Sequence, residues 1–263
     1  MSELVLMQHK DSIIDLTLNR ANKRNAINPA MMDALSAAFD QVETMTGARV
    51  ILLRAKGPGF SSGIDLMAMD EIGERFGEGW RDNLFAMTAA YQGVLNKIER
   101  STLPVIALLH GHCMGLGMEL ALACDMRIAA EGTRLSLPEA RLGIIPDVGG
   151  TTRLTQLLGP ARAKEFIITG RTFNLADAER WGLVNYVVPE NELESKAHSL
   201  AEEIKRAAPL AVNYARRVIN DMQDTAAGLQ LEAWAQSVLI RSEDFERGAQ
   251  AMLLKQQAEW TGK

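Results

Sequence analysis

The chain predicts an α/β fold, because short β-like runs alternate with helical patterns from residue 12 to about 188. No strand pattern follows Pro189, where four helical patterns succeed one another. Strands that alternate with helices imply right-handed connections between them. A length of 263 residues suits one sizeable domain, or a large domain with a smaller appendage. The expected division places the α/β core in residues 1–189 and a helical C-terminal region in residues 190–263.

Each element has its own signal. The run Ser12-Ile-Ile-Asp-Leu-Thr-Leu18 alternates apolar and polar residues, as a half-buried strand does. Asn28 and Pro29 then open a helix as N-cap and first-turn proline. Its apolar face is Met32, Leu35, Phe39, Val42 and Met45, and Gly47 ends it. Residues 50–53 and 104–109 are apolar strands; between them residues 80–100 read as a helix through Leu84, Met87, Tyr91, Leu95 and Ile98. A helix over 116–124, a strand over 126–130, a helix from about Gly149 and a strand over 183–188 complete the core. Beyond Pro189, Leu193, Ala197, Leu200 and Ile204 begin one helix and Pro209 the next. Leu231, Ala235 and Val238 mark a third, and residues 245–260 a fourth. Trp234, Leu239 and Met252 in this region are suited to packing on the core or to assembly.

Composition narrows the functions. A net charge of -5 and a pI near 5.5 argue against a surface built for nucleic acid. Cys113 and Cys124 have no Cys-x-x-Cys partner and read as reduced core residues, not a disulfide or metal site. No apolar run reaches about 18 residues and the first ten lack a secretory core, so a cytoplasmic protein without a membrane segment is expected.

Two carboxylates stand out. On a helix over 116–124 the neighbours of Glu119 at three and four residues are Gly115, Leu116, Leu122 and Ala123, none of them polar. Burying a carboxylate there costs several kcal/mol unless it is paired or its pKa is raised for chemistry. Glu139, twenty residues on, lies in a similar setting of apolar and turn residues between Leu135 and Asp147. Together they suggest a general acid and a general base in one pocket. The bland alternative puts Glu119 at a solvent-facing helix edge and makes Glu139 an ordinary loop charge.

Other motifs point elsewhere. Gly59-Phe-Ser-Ser-Gly63 matches the nucleophile elbow of serine hydrolases, but Lys56-Gly-Pro-Gly59 separates Ser61 from the preceding strand. His110, His112 and His198 follow the serine without an obvious orienting acid. Gly115-Leu-Gly117 begins like a dinucleotide fingerprint, yet Leu120 stands where the third glycine belongs. The two glycines do supply a tight turn into a helix, whose free N–H groups can bind an oxyanion. His110 and His112 have no acidic ligand nearby, which disfavours a metal site.

Taken in order, four segments resemble the crotonase superfamily of enoyl-CoA hydratases and isomerases, over essentially the whole chain. They are residues 20–27, the loop 60–66, the loop 111–119 and the segment from Ser136 through Glu139 to Gly150. The resemblance implies a spiral of ββα turns with a C-terminal helical region, assembled as trimers or dimers of trimers. It implies an acyl-CoA thioester substrate, with no metal, redox cofactor, nucleic acid or membrane partner. By position, the N–H groups of Ile64 and Leu116 would hold the thioester oxygen. Glu119 and Glu139 would deprotonate a water for Cβ and exchange a proton at Cα. Lys23, Ala26, Ser62, Ile64, Asp65, Leu66, Met67 and Gly115 would contact the CoA or substrate.

Three residues depart from the hydratase pattern. Leu116 replaces a usual glycine, and Met67 stands where many members have a lysine. Asp147 is glycine in many hydratases and a catalytic aspartate in dienoyl-CoA isomerases; as a plain turn residue it would cap the helix near Gly149. The expected activity is hydration of a 2-enoyl-CoA. Isomerisation of an enoyl- or 3,5-dienoyl-CoA is the alternative within the family. A serine hydrolase, and a non-catalytic relative that binds RNA or protein, are the alternatives outside it.

Overall fold

The computed structural model describes residues 3–82, 84–223 and 225–261. Strands β1 (Val5–Lys10) and β2 (Ile13–Leu18) form a hairpin, turned at Asp11 and Ser12 with positive φ. Helix α1 (Pro29–Val42) follows, with the Asn28 side chain accepting the Met31 N–H at 3.1 Å, the cap expected from Asn28-Pro29. Next come β3 (Val50–Ala55), α2 (Met69–Phe76), α3 (Leu84–Glu99), β4 (Val105–Leu109), β5 (His112–Met114) and α4 (Leu116–Leu122). Then follow β6 (Met126–Ala130), β7 (Arg134–Ser136), a 3-10 turn Glu139–Leu142, α5 (Gly150–Thr169), α6 (Leu175–Arg180) and β8 (Tyr186–Val188). Four helices end the chain: α7 (Leu193–Arg206), α8 (Pro209–Asp221), α9 (Thr225–Leu239) and α10 (Glu243–Leu254).

The main sheet has the order β1-β2-β3-β4-β6-β8 and is parallel except at β1–β2. Its central strands are apolar on both faces because both are covered. Ile51, Leu53, Ala107, Leu109 and Ala129 enter the large core, while Val50, Leu52, Ile106, Leu108 and Ile128 meet Leu193, Ala197 and Ala201 of α7. A second, shorter ladder pairs β5 with β7 and is extended by bridges Ser61–Cys113 and Leu135–Phe173. The chain therefore visits the main sheet, then the short ladder, then a helix, once each from β3, β4 and β6. This is the ββα spiral that the resemblance implies.

Several boundaries differ from the sequence expectation. The helix expected over 80–100 starts at Leu84, with Trp80 in the preceding turn. Only residues 186–188 of the expected 183–188 strand pair in the sheet, because the N–H groups of Leu183 and Val184 bond back to Ala178. The last helix stops at Leu254, where Lys255 turns left-handed at φ 54°, so Trp260 lies outside it. β1, β5, β7, α2 and α6 carry no expectation from the periodicity. Cys113 and Cys124 are unpaired and buried, as expected. No helix among the described residues is long and apolar enough to cross a membrane.

Candidate active site

The site begins with a buried asparagine. Asn25, at φ 51°, donates through Nδ2 to the carbonyls of Lys56 (2.8 Å) and Gly59 (3.0 Å), tying the 20–27 turn to the loop after β3. Ser61 Oγ donates to Asn25 O at 2.8 Å and accepts the Gly63 N–H at 3.1 Å. Ser61 is fully buried and spent on these backbone bonds, so it is a brace for the loop and not a nucleophile. The serine hydrolase alternative is thereby removed.

This bracing sets Gly63 against the turn before α4. Gly63 has φ +90°, and a Cβ there would lie 2.8 Å from Met114 O and 3.4 Å from Leu116 N. Only glycine lets the two loops approach so closely without strain. The N–H groups of Ile64 and Leu116 are thereby neighbours, and neither donates to any described residue. Two adjacent backbone donors without acceptors form a ready site for a developing oxyanion.

The carboxyls lie beside these donors. Glu119 is 2% exposed, on the first turn of α4, and its Oε1 accepts the N–H groups of Val148 and Gly150, both at 2.8 Å. Burial, then the charges of Glu139, Asp147 and Glu232, push its pKa well above the usual range. Glu139 opens the 3-10 turn after β7, and its Oε1 would lie 2.7 Å from a Cβ at Gly115. Its Oε2 is buried with no hydrogen-bond partner. Burial and, to a lesser degree, Asp147 push Glu139 up to about 8, so it holds its proton at neutral pH. An unpartnered buried oxygen costs about 1–3 kcal/mol, a cost that a substrate contact would recover. The bland alternative for both residues, a solvent-facing position, is excluded by their burial.

Asp147 is also buried, and burial raises it to about 7 despite a 2.9 Å hydrogen bond from Thr88 Oγ1. The helix-capping role suggested by its position is not what the structure shows. Gly149 is the N-cap of α5, without a side-chain cap bond from Asp147, and the N–H groups there go to Glu119 and Glu232.

Glu119, Glu139 and Asp147 line one cleft together with Ile64 and Leu116. Its remaining wall is mostly apolar, with Leu66, Met69, Ile72, Trp80, Met87 and Tyr91 from earlier in the chain and Ile240 and Phe245 from its last helices, and one amide, Gln236, whose Oε1 accepts the Ile145 N–H at 3.1 Å. Of the residues expected at the CoA, Ile64 and Leu66 line this cleft and Gly115 abuts Glu139. Lys23, Ser62 and Met67 are exposed, Met67 at 75%. Ala26 is buried, and the Asp65 side chain is engaged inside the protein, paired to Arg20 at 2.6 Å and accepting the Met67 N–H at 3.0 Å. The sequence reasoning did not single out Asn25, nor Glu232, which lies 83 residues from its partner Gly149. The neighbours of Glu232 at three and four residues on α9 are Gly228, Leu229, Ala235 and the polar Gln236, so the signal that marked Glu119 is weaker there. Among the described residues no group of three His, Cys, Asp or Glu side chains is placed to hold a metal ion.

A ββα spiral whose paired loops offer free N–H groups beside buried carboxyls defines a crotonase-fold enzyme. The family model for enoyl-CoA hydratase/isomerase matches residues 8–263. The chain is 35% identical to the carnitinyl-CoA dehydratase of Salmonella paratyphi A, with 100% of each chain covered. Among solved structures, an enoyl-CoA hydratase from Bacillus anthracis aligns with a TM-score of 0.76 at 34% identity, covering 99% of this chain and 100% of that one. A carnitinyl-CoA hydratase from Mycobacterium avium aligns with a TM-score of 0.86 at 29% identity, covering 100% of both chains. The chain belongs to the enoyl-CoA hydratase/isomerase family.

Proposed function

We propose that this enzyme adds water across the 2,3 double bond of an enoyl-CoA thioester, or removes it in reverse. The observation that carries the proposal is the pair Glu119 and Glu139, buried in one cleft beside the free N–H groups of Ile64 and Leu116. Those groups would donate hydrogen bonds to the thioester oxygen as negative charge builds on it; losing one such donor typically costs about 3 kcal/mol of barrier. The ionised form of Glu119, held at Oε1 by two N–H groups and made a stronger base by burial, would take a proton from water as the water oxygen bonds to Cβ. Glu139, protonated at neutral pH, would deliver its proton to Cα as the enolate collapses to the 3-hydroxyacyl thioester. The relatives named as hydratases and dehydratases support this reading. The CoA is part of the substrate, and the scheme needs no metal or redox group.

One observation favours a second reading. Asp147 lines the cleft, and its carboxyl caps no helix, so it is free to move a proton at the far end of a conjugated chain. Isomerisation of a 3,5-dienoyl-CoA would use it with Glu139. Assaying the purified enzyme on a panel of 2-enoyl- and 3,5-dienoyl-CoA thioesters tests both readings. Hydration of short 2-enoyl-CoA thioesters is the expected result, and its absence alongside fast diene isomerisation would reverse the choice.

We also propose assembly as a trimer or a dimer of trimers. Leu210, Tyr214 and Val218 recur at four-residue spacing along α8, continued by Met222 at its C-cap, and are exposed, as are Leu231, Trp234 and Val238 of α9. Light scattering should give a mass near three or six times 28.8 kDa. A strict monomer at micromolar concentration would contradict it.

A further inference from the structure

The turn that opens α5 is held by two carboxylates from different helices. Val148 and Gly150 donate to Glu119 of α4, while Gly149 donates to Glu232 Oε2 at 2.7 Å and Thr152 to Glu232 Oε1 at 2.5 Å. Gly149 has φ +98°, a conformation that turns successive N–H groups toward opposite partners. A side chain there would also meet Arg153 Nη1 at 1.8 Å. Asp147, just before the turn, is tied to the same end of α9: Gln92 Nε2 donates both to Asp147 O at 2.7 Å and to Leu229 O at 3.0 Å. Glu232 is itself 2% exposed, and it does not line the cleft.

We propose that Glu232 is a positioning residue of this site, which straps the 148–152 turn onto Glu119 and sets a negative charge behind Glu119 and Asp147. The proposal rests on the reading of Glu119 and Glu139 as the acid–base pair. The groups that face Glu232 divide by sign. Burial is the largest influence on Glu232 and raises its pKa; the donors of Thr152 and Gly149 and the guanidinium of Arg153 on α5, itself paired to Glu99 at 3.0 Å, favour its charge, while Asp147 from the turn and Glu119 from α4 oppose it. Glu232 holds the N–H groups of Gly149 and Thr152 and a nearby guanidinium, whereas Asp147 holds the Thr88 hydroxyl and its own N–H. Of these two neighbours Glu232 therefore keeps the charge and Asp147 the proton.

Glu232→Gln in the full chain tests this, because it preserves shape and an acceptor while removing the charge. On an enoyl-CoA thioester kcat should fall about tenfold with KM within about twofold, and the acidic limb of kcat/KM, set by ionisation of the base Glu119, should move to lower pH because the charge of Glu232 no longer opposes it. A second readout needs no turnover. Asp147 (about 7) and Glu139 (about 8) keep protons in the folded chain that the unfolded chain releases above about pH 4–5. Their contribution to stability is thus fully present in acid and lost as pH rises toward 8, so Tm falls across that window. In Glu232→Gln the fall should be shallower. Glu232→Asp retains the charge but retracts it from the turn, so it should lose rate while keeping the wild-type pH limb. A pH limb and a Tm slope both unchanged in Glu232→Gln would overturn the proposal, even with Tm lowered uniformly. A limb displaced in Glu232→Asp as far as in Glu232→Gln would overturn it too. If the wild type hydrates no enoyl thioester but the Tm slope still flattens, the acid–base reading fails and the assignment of Glu232 stands.

Discussion

Glu139→Gln should lower kcat on a 2-enoyl-CoA by at least about a hundredfold, with KM nearly unchanged. Glutamine fills the same volume and can hydrogen-bond, but it has no proton to give to Cα. Because Glu139 is held at about 8 by burial and the neighbouring Asp147, the acid form predominates at neutral pH. Hydration should accordingly decline as pH rises above about 8, and that decline should vanish from the residual activity of the variant. Glu119→Gln should be as severe for a different reason. Its amide oxygen can still accept the N–H groups of Val148 and Gly150, so the turn survives while the base for water is lost. Steady-state kinetics of both variants from pH 5 to 9 provide the check. Turnover near the wild-type rate in both would sink the two-carboxylate mechanism.

Asp147→Asn should leave hydration of a short 2-enoyl-CoA within a few-fold of wild type while reducing any 3,5-dienoyl-CoA isomerisation by orders of magnitude. Hydration uses a water and the two glutamates at adjacent carbons, whereas the diene must exchange protons at both ends of a longer conjugated system. Asparagine preserves an acceptor for Thr88 Oγ1, so the variant isolates proton transfer from packing. Paired assays on the two thioester classes make the measurement. Collapse of hydration as well would place Asp147 among the groups that hydration requires, contrary to the scheme proposed above.

What the sequence made legible follows from how far each signal reaches. Helices with long apolar stripes were readable: Met32, Leu35, Phe39 and Val42 are buried along α1, and Leu193 and Ala197 along α7. The apolar setting of Glu119 pointed correctly to burial. β5 and β7 were not readable, because three residues cannot display a period, and their pairing depends on segments twenty or more residues apart. The expectation that Asp147 caps α5 failed for a related reason. A local Pro-Asp signal suggested a cap, but carboxylates from α4 and α9 already occupy those N–H groups, and no local pattern announces a partner 83 residues away. Asn25 was hidden likewise, since its partners Lys56 and Gly59 lie beyond the next helix and strand.

The wall of the cleft contributed by Ile240 and Phe245, and the strap from Glu232, all come from the stretch after residue 225. On the ribosome this stretch emerges after every other part of the site. Until it docks, the turn before α5 lacks one of its two anchors, and the cleft is open to water on that side. Water would solvate Glu139 and Asp147, and their protons would leave at ordinary carboxylate pH. A nascent chain that has folded its spiral thus holds Glu139 in place but without the proton it must deliver. Docking of the last helices is the step that dries the cleft and arms the acid, so catalytic competence should arrive abruptly and late in biosynthesis.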